Sequence, residues 1–348
     1  MRTVRWARLA TTVAMGQQVH ELRLFEELQA AGDGHWLLSD VSIASVRTGG
    51  AGSRRLPLRL LWSAPYRAAA LVGAAAYGRT DLLHRLDLRC PPSGRREIVT
   101  IHDLPPLRFD DEGSLPRWAA RSARAAAAVI CPSEFAAEEV RKLLGVRRIR
   151  VVPNGVDSSF AHAEPLSAVE LAPFRIEGRF VLHAGGATRR KNLDSLAAAW
   201  PMVLEGAPDA LLVLCGPPHP RRDELFAGTE GVRYLGHRPP AFVARLMRSA
   251  AVVVVPSTYE GFGLPALEAM AAGTAVVASA RGALPEVCDT AAAMVEPTAE
   301  ALAAGILEVL AGGERIEGMR QAGRERAPTF TWNAAARNTL AVYEEAVA

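Results

Sequence analysis

Glu260 and Glu268 stand eight residues apart and frame a glycine-rich turn, Pro256-Ser257-Thr258-Tyr259-Glu260-Gly261-Phe262-Gly263-Leu264-Pro265-Ala266-Leu267-Glu268. The turn follows an apolar run and opens a segment with helical spacing. Pro265 suits the first turn of a helix, where its missing N–H breaks no bond. Gly261 and Gly263 let backbone approach a ligand closely. The N–H groups of Phe262, Gly263 and Leu264, unpaired at a helix start, lie at the positive end of its dipole. The two carboxylates are spaced to accept hydrogen bonds from vicinal hydroxyls, as on a hexose and on a ribose. By spacing alone, the block also reads as a Gly-Pro turn between two exposed glutamates, because Gly-x-Gly is a weak signature.

A second such turn is Leu182-His183-Ala184-Gly185-Gly186-Ala187-Thr188-Arg189-Arg190-Lys191-Asn192. Gly185 and Gly186 followed by Arg189, Arg190 and Lys191 suit a diphosphate: backbone donors first, then cations that neutralise charge. The alternative, a solvated basic helix start, is electrostatically poor, since cations disfavour helix N-termini. Lys191 is one of two lysines, with Lys142, in a chain that otherwise uses arginine. In the first half, Ile98-Val99-Thr100-Ile101-His102-Asp103 ends an apolar run in a histidine that faces a reacting centre or is merely packed. His84 has a similar placement and a weaker case. Gly16-Gln17-Gln18 reads as a loop over ligand phosphates.

These loops need strands before them and helices after them. Short apolar runs at 180–183, 211–215, 232–235, 252–255, 275–278 and 293–295 alternate with helical spacing at 193–204, 241–250 and 264–272. Strands without two-residue alternation are covered on both faces, so the pattern predicts a doubly wound parallel α/β domain. The first half repeats it. Strands are expected at 4–9, 36–38, 82–84, 98–102, 129–131 and 149–152, with helices at 19–30, 59–76, 115–127 and 134–144. Residues 46–57 are expected to form a mobile loop. The division is 1–155, a linker at 156–177 and a second domain at 178–330, with a final helix over 332–348 packing back on the first.

The 348 residues, 49% hydrophobic and 22% charged, suffice for a large core and exclude disorder, coiled coil and disulfide scaffold. Cys90, Cys131, Cys215 and Cys288 are dispersed, which suggests small core residues in a reducing compartment. No apolar run is long enough to cross a bilayer. The basic start and apolar stretch before Gly16 read as a first strand and loop, not a targeting segment. The net charge of +3 hides an asymmetry: residues 1–155 carry +8 and the remainder −5. A basic first domain suits an anionic lipid or acceptor; the plainer reading is arginine on solvated faces. No nucleic-acid-binding signature accompanies it.

Absent motifs narrow the chemistry. No Asp-x-Asp pair is present to hold a divalent metal against a nucleotide. Gly-x-Gly-x-x-Gly after a strand, the P-loop and Gly-x-Ser-x-Gly are missing too, which counts against dinucleotide oxidoreductases, P-loop ATPases and serine hydrolases.

Taken in order, Thr100-Ile101-His102-Asp103-Leu104, Cys131-Pro132-Ser133-Glu134-Phe135, Val152-Pro153-Asn154-Gly155-Val156-Asp157, Arg190-Lys191-Asn192, Tyr234-Leu235-Gly236, the Glu260–Glu268 block and Gly282-Ala283-Leu284-Pro285-Glu286-Val287 resemble the retaining glycosyltransferases of family four. The resemblance is closest over 180–297. It implies the GT-B architecture, two Rossmann-like domains facing across a cleft, and metal-independent hexosyl transfer in glycan biosynthesis with no cofactor. It further implies that Lys191 and Arg190 or Arg189 bind the donor diphosphate and that Glu260, beside Gly261 to Leu264, holds the donor sugar. Glu268 would take the ribose, His102 would reach the sugar from the first domain, and Gly16, Gly185 and Gly186 would line the phosphates. The base is expected near Gly216-Pro217 and the loop of Leu235 and His237. Where many members have Gly-Arg after the strand, this chain has Gly185-Gly186. GDP-hexose, including GDP-mannose, and UDP-hexose both fit as donor. A glycan, lipid-linked or small-molecule acceptor fits a cytoplasmic enzyme, with peripheral membrane contact through the basic domain. The alternatives are a catalytically degenerate nucleotide-sugar-binding protein and a sugar-nucleotide epimerase.

Overall fold

Apolar runs too short for helices become strands covered on both faces. In the computed structural model, which describes residues 1–10, 16–31, 34–46 and 53–348, they form two parallel sheets. The first holds β1 (Arg2–Leu9), β2 (Trp36–Ser45), β3 (Arg54–Leu56), β4 (Leu82–Arg85), β5 (Glu97–Thr100), β6 (Ala128–Cys131) and β7 (Ile149–Val151), in the order β3-β2-β1-β4-β5-β6-β7. The second holds β8 (Phe180–Ala184), β9 (Leu211–Cys215), β10 (Val232–Gly236), β11 (Val252–Val255), β12 (Ala275–Ser279) and β13 (Ala293–Val295), in the order β10-β9-β8-β11-β12-β13. Strand order reverses between β1 and β4 in one and between β8 and β11 in the other. Such reversals are where doubly wound sheets open a crevice for ligands.

The chain divides into two compact units, Met1–Gly155 with Trp332–Ala348, and Val156–Thr331. In the first, helix Trp332–Val347 lies against helix Gly16–Ala31 and sends Trp332, Ala336 and Tyr343 into a core with Val4, Trp6 and Leu28. The Tyr343 hydroxyl accepts from Trp6 Nε1 at 2.8 Å and lies 2.7 Å from His84 Nδ1. In the second unit, core clusters pack on both faces of the sheet. Val181, Leu212, Val252 and Val277 belong to one, and Leu182, Val213, Val253 and Val276 to the other.

Several expectations are corrected. The helix expected over 59–76 is two, Leu58–Trp62 and Tyr66–Tyr77, separated at Pro65, which cannot continue a helix and biases the residue before it away from α. Within the expected loop over 46–57, Arg54–Leu56 pairs with β2 as an edge strand, and 47–52 lie outside the described residues. The expected linker is part of the second unit: helices Ser158–Ala161 and Ala168–Leu171 are capped by Asp157 and by a Ser167–Glu170 capping box, and Phe160, Leu166 and Ile176 enter its core. The strand expected over 98–102 ends at Thr100, so His102 sits in a loop. Among the described residues, no helix is long and apolar enough to cross a membrane.

Candidate active site

Because β8 and β11 are neighbours at the reversal, the loops that leave their carboxyl ends meet. Asn192, in the left-handed region at φ 53°, ties them together: its Nδ2 donates to Pro256 O and Pro297 O, each at 3.0 Å. Thr258 N donates to Arg190 O at 2.8 Å. This stitching carries the Lys191 ammonium to 2.7 Å from Glu260 Oε1, and Arg190 Nη1 to 3.2 Å from Oε2. Ser257 Oγ donates to the same Oε1 at 2.7 Å. Arg190, not the exposed Arg189, is the arginine of this cluster. Glu260 is 6% exposed. Burial opposes its ionisation, but Lys191 and then Arg190 outweigh that and hold the carboxyl down at about 2.

The backbone under Glu260 is fixed from a third strand. After β12, Ala283 N donates to Glu260 O at 3.0 Å, and Gly282, at φ 63°, packs so closely that a Cβ there would lie 2.7 Å from both Glu260 N and O. The Ser279 hydroxyl donates to Ser257 O. Gly263, at φ 99°, precedes helix Leu264–Ala271, and Phe262 is buried edge-on to Phe330 with ring centroids 5.7 Å apart. Glu268 is half-buried on that helix; burial, and after it Asp157, push its carboxyl up to about 8.

Beside this cluster, Gly185 N donates to Cys215 O at 2.9 Å, and Gly216 packs on Gly185, where a Cβ would lie 2.1 Å from Gly185 O. The Leu235 side chain is 3% exposed and belongs to the core, so only its backbone can face a ligand. Its neighbours Tyr234 and His237 are exposed, and the Arg238 guanidinium lies 4.8 Å from the Phe174 ring centre.

His102 and Gly16 belong to the first unit. Gly16, Gln17 and Gln18, expected as a loop over phosphates, instead form the first turn of helix Gly16–Ala31, and residues 11–15 before them lie outside the described residues. The His102 ring sits edge-on to His20 at 4.4 Å, and His20 in turn meets Trp332 at 5.4 Å. Burial lowers His102 to about 4, against the pull of Asp87. His84 is a packing residue, hydrogen-bonded through both ring nitrogens to Tyr343 and Thr100. Sequence reading passed over Ser257, Ser279, Arg222 and His20. Nothing in their spacing marks them, and each is identified by what it touches.

Two parallel doubly wound units, with a cationic cluster around a buried carboxylate at a switch point, define a GT-B glycosyltransferase. Sucrose-phosphate synthase from Thermosynechococcus elongatus has this fold, at TM-score 0.76 and 24% identity over 99% of both chains. So does an Anabaena protein solved with UDP and glucose, at TM-score 0.72 and 18% identity over 99% of this chain and 100% of that one. Residues 14–160 match the profile of Glycosyltransferase Family 4, and residues 178–312 that of Glycosyl transferases group 1. MMP alpha-(1->4)-mannosyltransferase of Mycolicibacterium hassiacum is 32% identical over 315 residues, 80% of this chain and 74% of its own. GDP-mannose-dependent alpha-(1-6)-phosphatidylinositol dimannoside mannosyltransferase of Mycobacterium tuberculosis is 32% identical over 266 residues, 71% of this chain and 68% of its own. The chain belongs to glycosyltransferase family four, group 1, and is an enzyme of glycosyl transfer.

Proposed function

We propose that this enzyme is a retaining, metal-independent mannosyltransferase that uses a nucleoside-diphosphate mannose, GDP-mannose first, and a lipid-linked or glycan acceptor. The observation that carries the reading is Glu260 held between Lys191 and Arg190 at the β8–β11 switch point. The names of the mannosyltransferase relatives support the choice of sugar, and one of them the choice of GDP.

Lys191, paired with Glu260, brings a compact ammonium charge to the diphosphate. Arg190 adds a delocalised charge beside it. The remaining lone pair of Glu260 accepts from a hexose hydroxyl and Glu268 accepts from the ribose, while His102 is the first unit's residue for the sugar that the family resemblance implies. The bond from C1 to the diphosphate breaks as the acceptor oxygen bonds C1 on the same face, and the acceptor proton passes to a diphosphate oxygen. The residues then act by positioning and by stabilising charge on the leaving group, so no enzyme nucleophile is used. With cations at this place, the reaction has a source of charge stabilisation other than a metal.

The acceptor side is the first unit. Residues 53–80 carry five arginines, Arg54, Arg55, Arg59, Arg67 and Arg79, and no Asp or Glu. All five are exposed, as are Leu60 and Leu71 among them. This supports an anionic acceptor met at the cytoplasmic face of a membrane, where arginine attracts anionic headgroups.

The test is a nucleotide-sugar panel scored by thermal shift, because a ligand of the folded state raises its melting temperature. Product formation follows with the best donor, with anomeric configuration read by NMR and with EDTA present. GDP-mannose should stabilise best, the anomeric configuration should be kept, and EDTA should leave turnover intact. Hydrolysis or epimerisation without acceptor, inversion, or loss of turnover in EDTA that Mg²⁺ restores would each sink the corresponding part.

A further inference from the structure

Arg222, outside the Lys191–Glu260 cluster, is a cation at 2% exposure. It lies in the short helix Pro220–Leu225, and its guanidinium forks between two loops. Nη1 donates to Pro217 O at 2.9 Å and Nη2 to Gly185 O at 2.5 Å. Its Nε makes no hydrogen bond. Arg221 beside it pairs with Asp194, whereas Arg222 has no carboxylate at ion-pair distance among the described residues. A buried charge without a counter-charge is unfavourable. Its field reaches its surroundings: after burial, Arg222 is the next cause of the low pKa, about 4, of His183 beneath the same loop.

The two carbonyls belong to the loops after β8 and β9, the pair that Gly216 packs together. A Cβ on Gly216 would lie 3.0 Å from Arg222 Nη2 as well as 2.1 Å from Gly185 O. Arg222 therefore grips the Gly185-Gly186 peptide from one side. In a trans peptide the N–H points opposite to the C=O, so this grip turns the Gly186 N–H away from Arg222. Arg190 and Lys191, which pair with Glu260, end this loop, and Arg222 is bonded to its carbonyl at Gly185. The local excess of positive charge matches a diphosphate.

We infer that Arg222 prepares the Gly185-Gly186 loop for the diphosphate of a nucleoside diphosphate, by fixing the orientation of the Gly185-Gly186 peptide and by keeping beneath it a positive charge that no carboxylate among the described residues meets at ion-pair distance. It is a positioning residue, reaching the ligand through the loop. The inference rests on the proposed donor reading. Lysine cannot replace it fully, because an ammonium is a point charge and does not span two carbonyls as a planar fork does.

The test uses the full chain, wild type, Arg222→Gln and Arg222→Lys, each titrated with GDP, UDP, guanosine and uridine, with unliganded melting temperatures alongside. For the diphosphate that the wild type binds, Arg222→Gln should weaken affinity by about ten-fold or more, roughly 1.4 kcal/mol. The matching nucleoside should bind both proteins alike, and Arg222→Lys should fall between. Equal loss for diphosphate and nucleoside, or no loss for either, would overturn the inference, because a merely structural role moves both together. Should Arg222→Gln not fold, the comparison of diphosphate with nucleoside in Arg222→Lys decides. A wild type that binds no nucleotide would overturn the donor reading itself, and this inference with it.

Discussion

The Lys191 ammonium lies 2.7 Å from Glu260 Oε1, although 69 residues separate the two. Ser257 reaches the same oxygen and Arg190 the other one, so protein groups alone favour the ionised carboxylate and orient it. An enzyme that stabilises charge by preorganised groups needs this arrangement before substrate arrives.

Replacing either partner should therefore separate chemistry from folding. Lys191→Met and Glu260→Gln should each lower kcat by about 100-fold or more, the scale of losing one preorganised charge-stabilising group. Glu260→Ala leaves Lys191 and Arg190 facing each other without their carboxylate. Breaking a buried pair costs about 3–5 kcal/mol, and less here because both cations keep some contact with water at 13% and 18% exposure. Glu260→Ala should therefore melt below Glu260→Gln. Steady-state kinetics and calorimetry check this, and near-normal turnover in Lys191→Met and Glu260→Gln would dismiss the assigned roles.

Ser257 is 1% exposed, and its hydroxyl donates to a charged acceptor. Ser257→Ala should cost about 1.5–3 kcal/mol of stability, as hydrogen bonds to charged groups do. It should also lower kcat/KM for the donor, because Glu260 loses one of its three holders. Chemical denaturation together with donor kinetics measures both, and unchanged kinetics would show that the cations alone orient Glu260.

Gly282→Ala combines two faults: φ is 63°, where a Cβ is disfavoured, and the added atom would sit 2.7 Å from Glu260 N and O. The strain is about 1–3 kcal/mol. Because the clash is with Glu260 itself, transfer should fall more than stability does. Gly312→Ala is the control, with φ 75° and nothing within 4 Å, and should cost stability without touching turnover.

Stability should fall on both sides of neutrality. His183 and His102 at about 4, and His84 at about 3, all sit below the ordinary 6.5, chiefly through burial. Between about 4 and 6.5 the unfolded chain binds more protons than the native one. Their contribution is thus complete above 6.5 and is lost as pH falls through that window. Glu268 runs the other way. Its native value of about 8 lies above the ordinary 4.5, so stability is lost as pH rises from 4.5 through 8. Melting temperature against pH should show both arms, and Glu268→Gln should flatten only the alkaline one. An unchanged alkaline arm in that variant would show that Glu268 is not its source.

Covered parallel strands were legible because burial on both faces demands continuous apolar runs, and 211–215, 252–255 and 293–295 carry them. Three features were not legible. Helix Glu314–Arg326 is strongly polar, with Glu and Arg through most of its length, so its burial of Ile316 and Met319 leaves only a faint period. The 156–177 segment reads as a linker because its helices are a single turn each, held by caps and by Phe160 rather than by periodicity. The strand β3 has only three residues, and they gain their partners from β2.

The chain's order of residues by itself determined which groups are available: two glycine turns after strands, a basic triplet at 189–191, two glutamates eight apart, and a family resemblance carried by their succession. Only the tertiary structure decided which of them act together. The reversal of strand order sets β8 beside β11 and brings Lys191 to Glu260, while Gly282 and Ser257 hold that carboxylate from loops that are remote or unmarked in sequence. The physical reason is range. Strand patterning and turn chemistry are set by neighbours along the chain. Distances of a few ångströms between charges come from sheet order and packing, where a burial decision on one strand is made by residues far away in sequence.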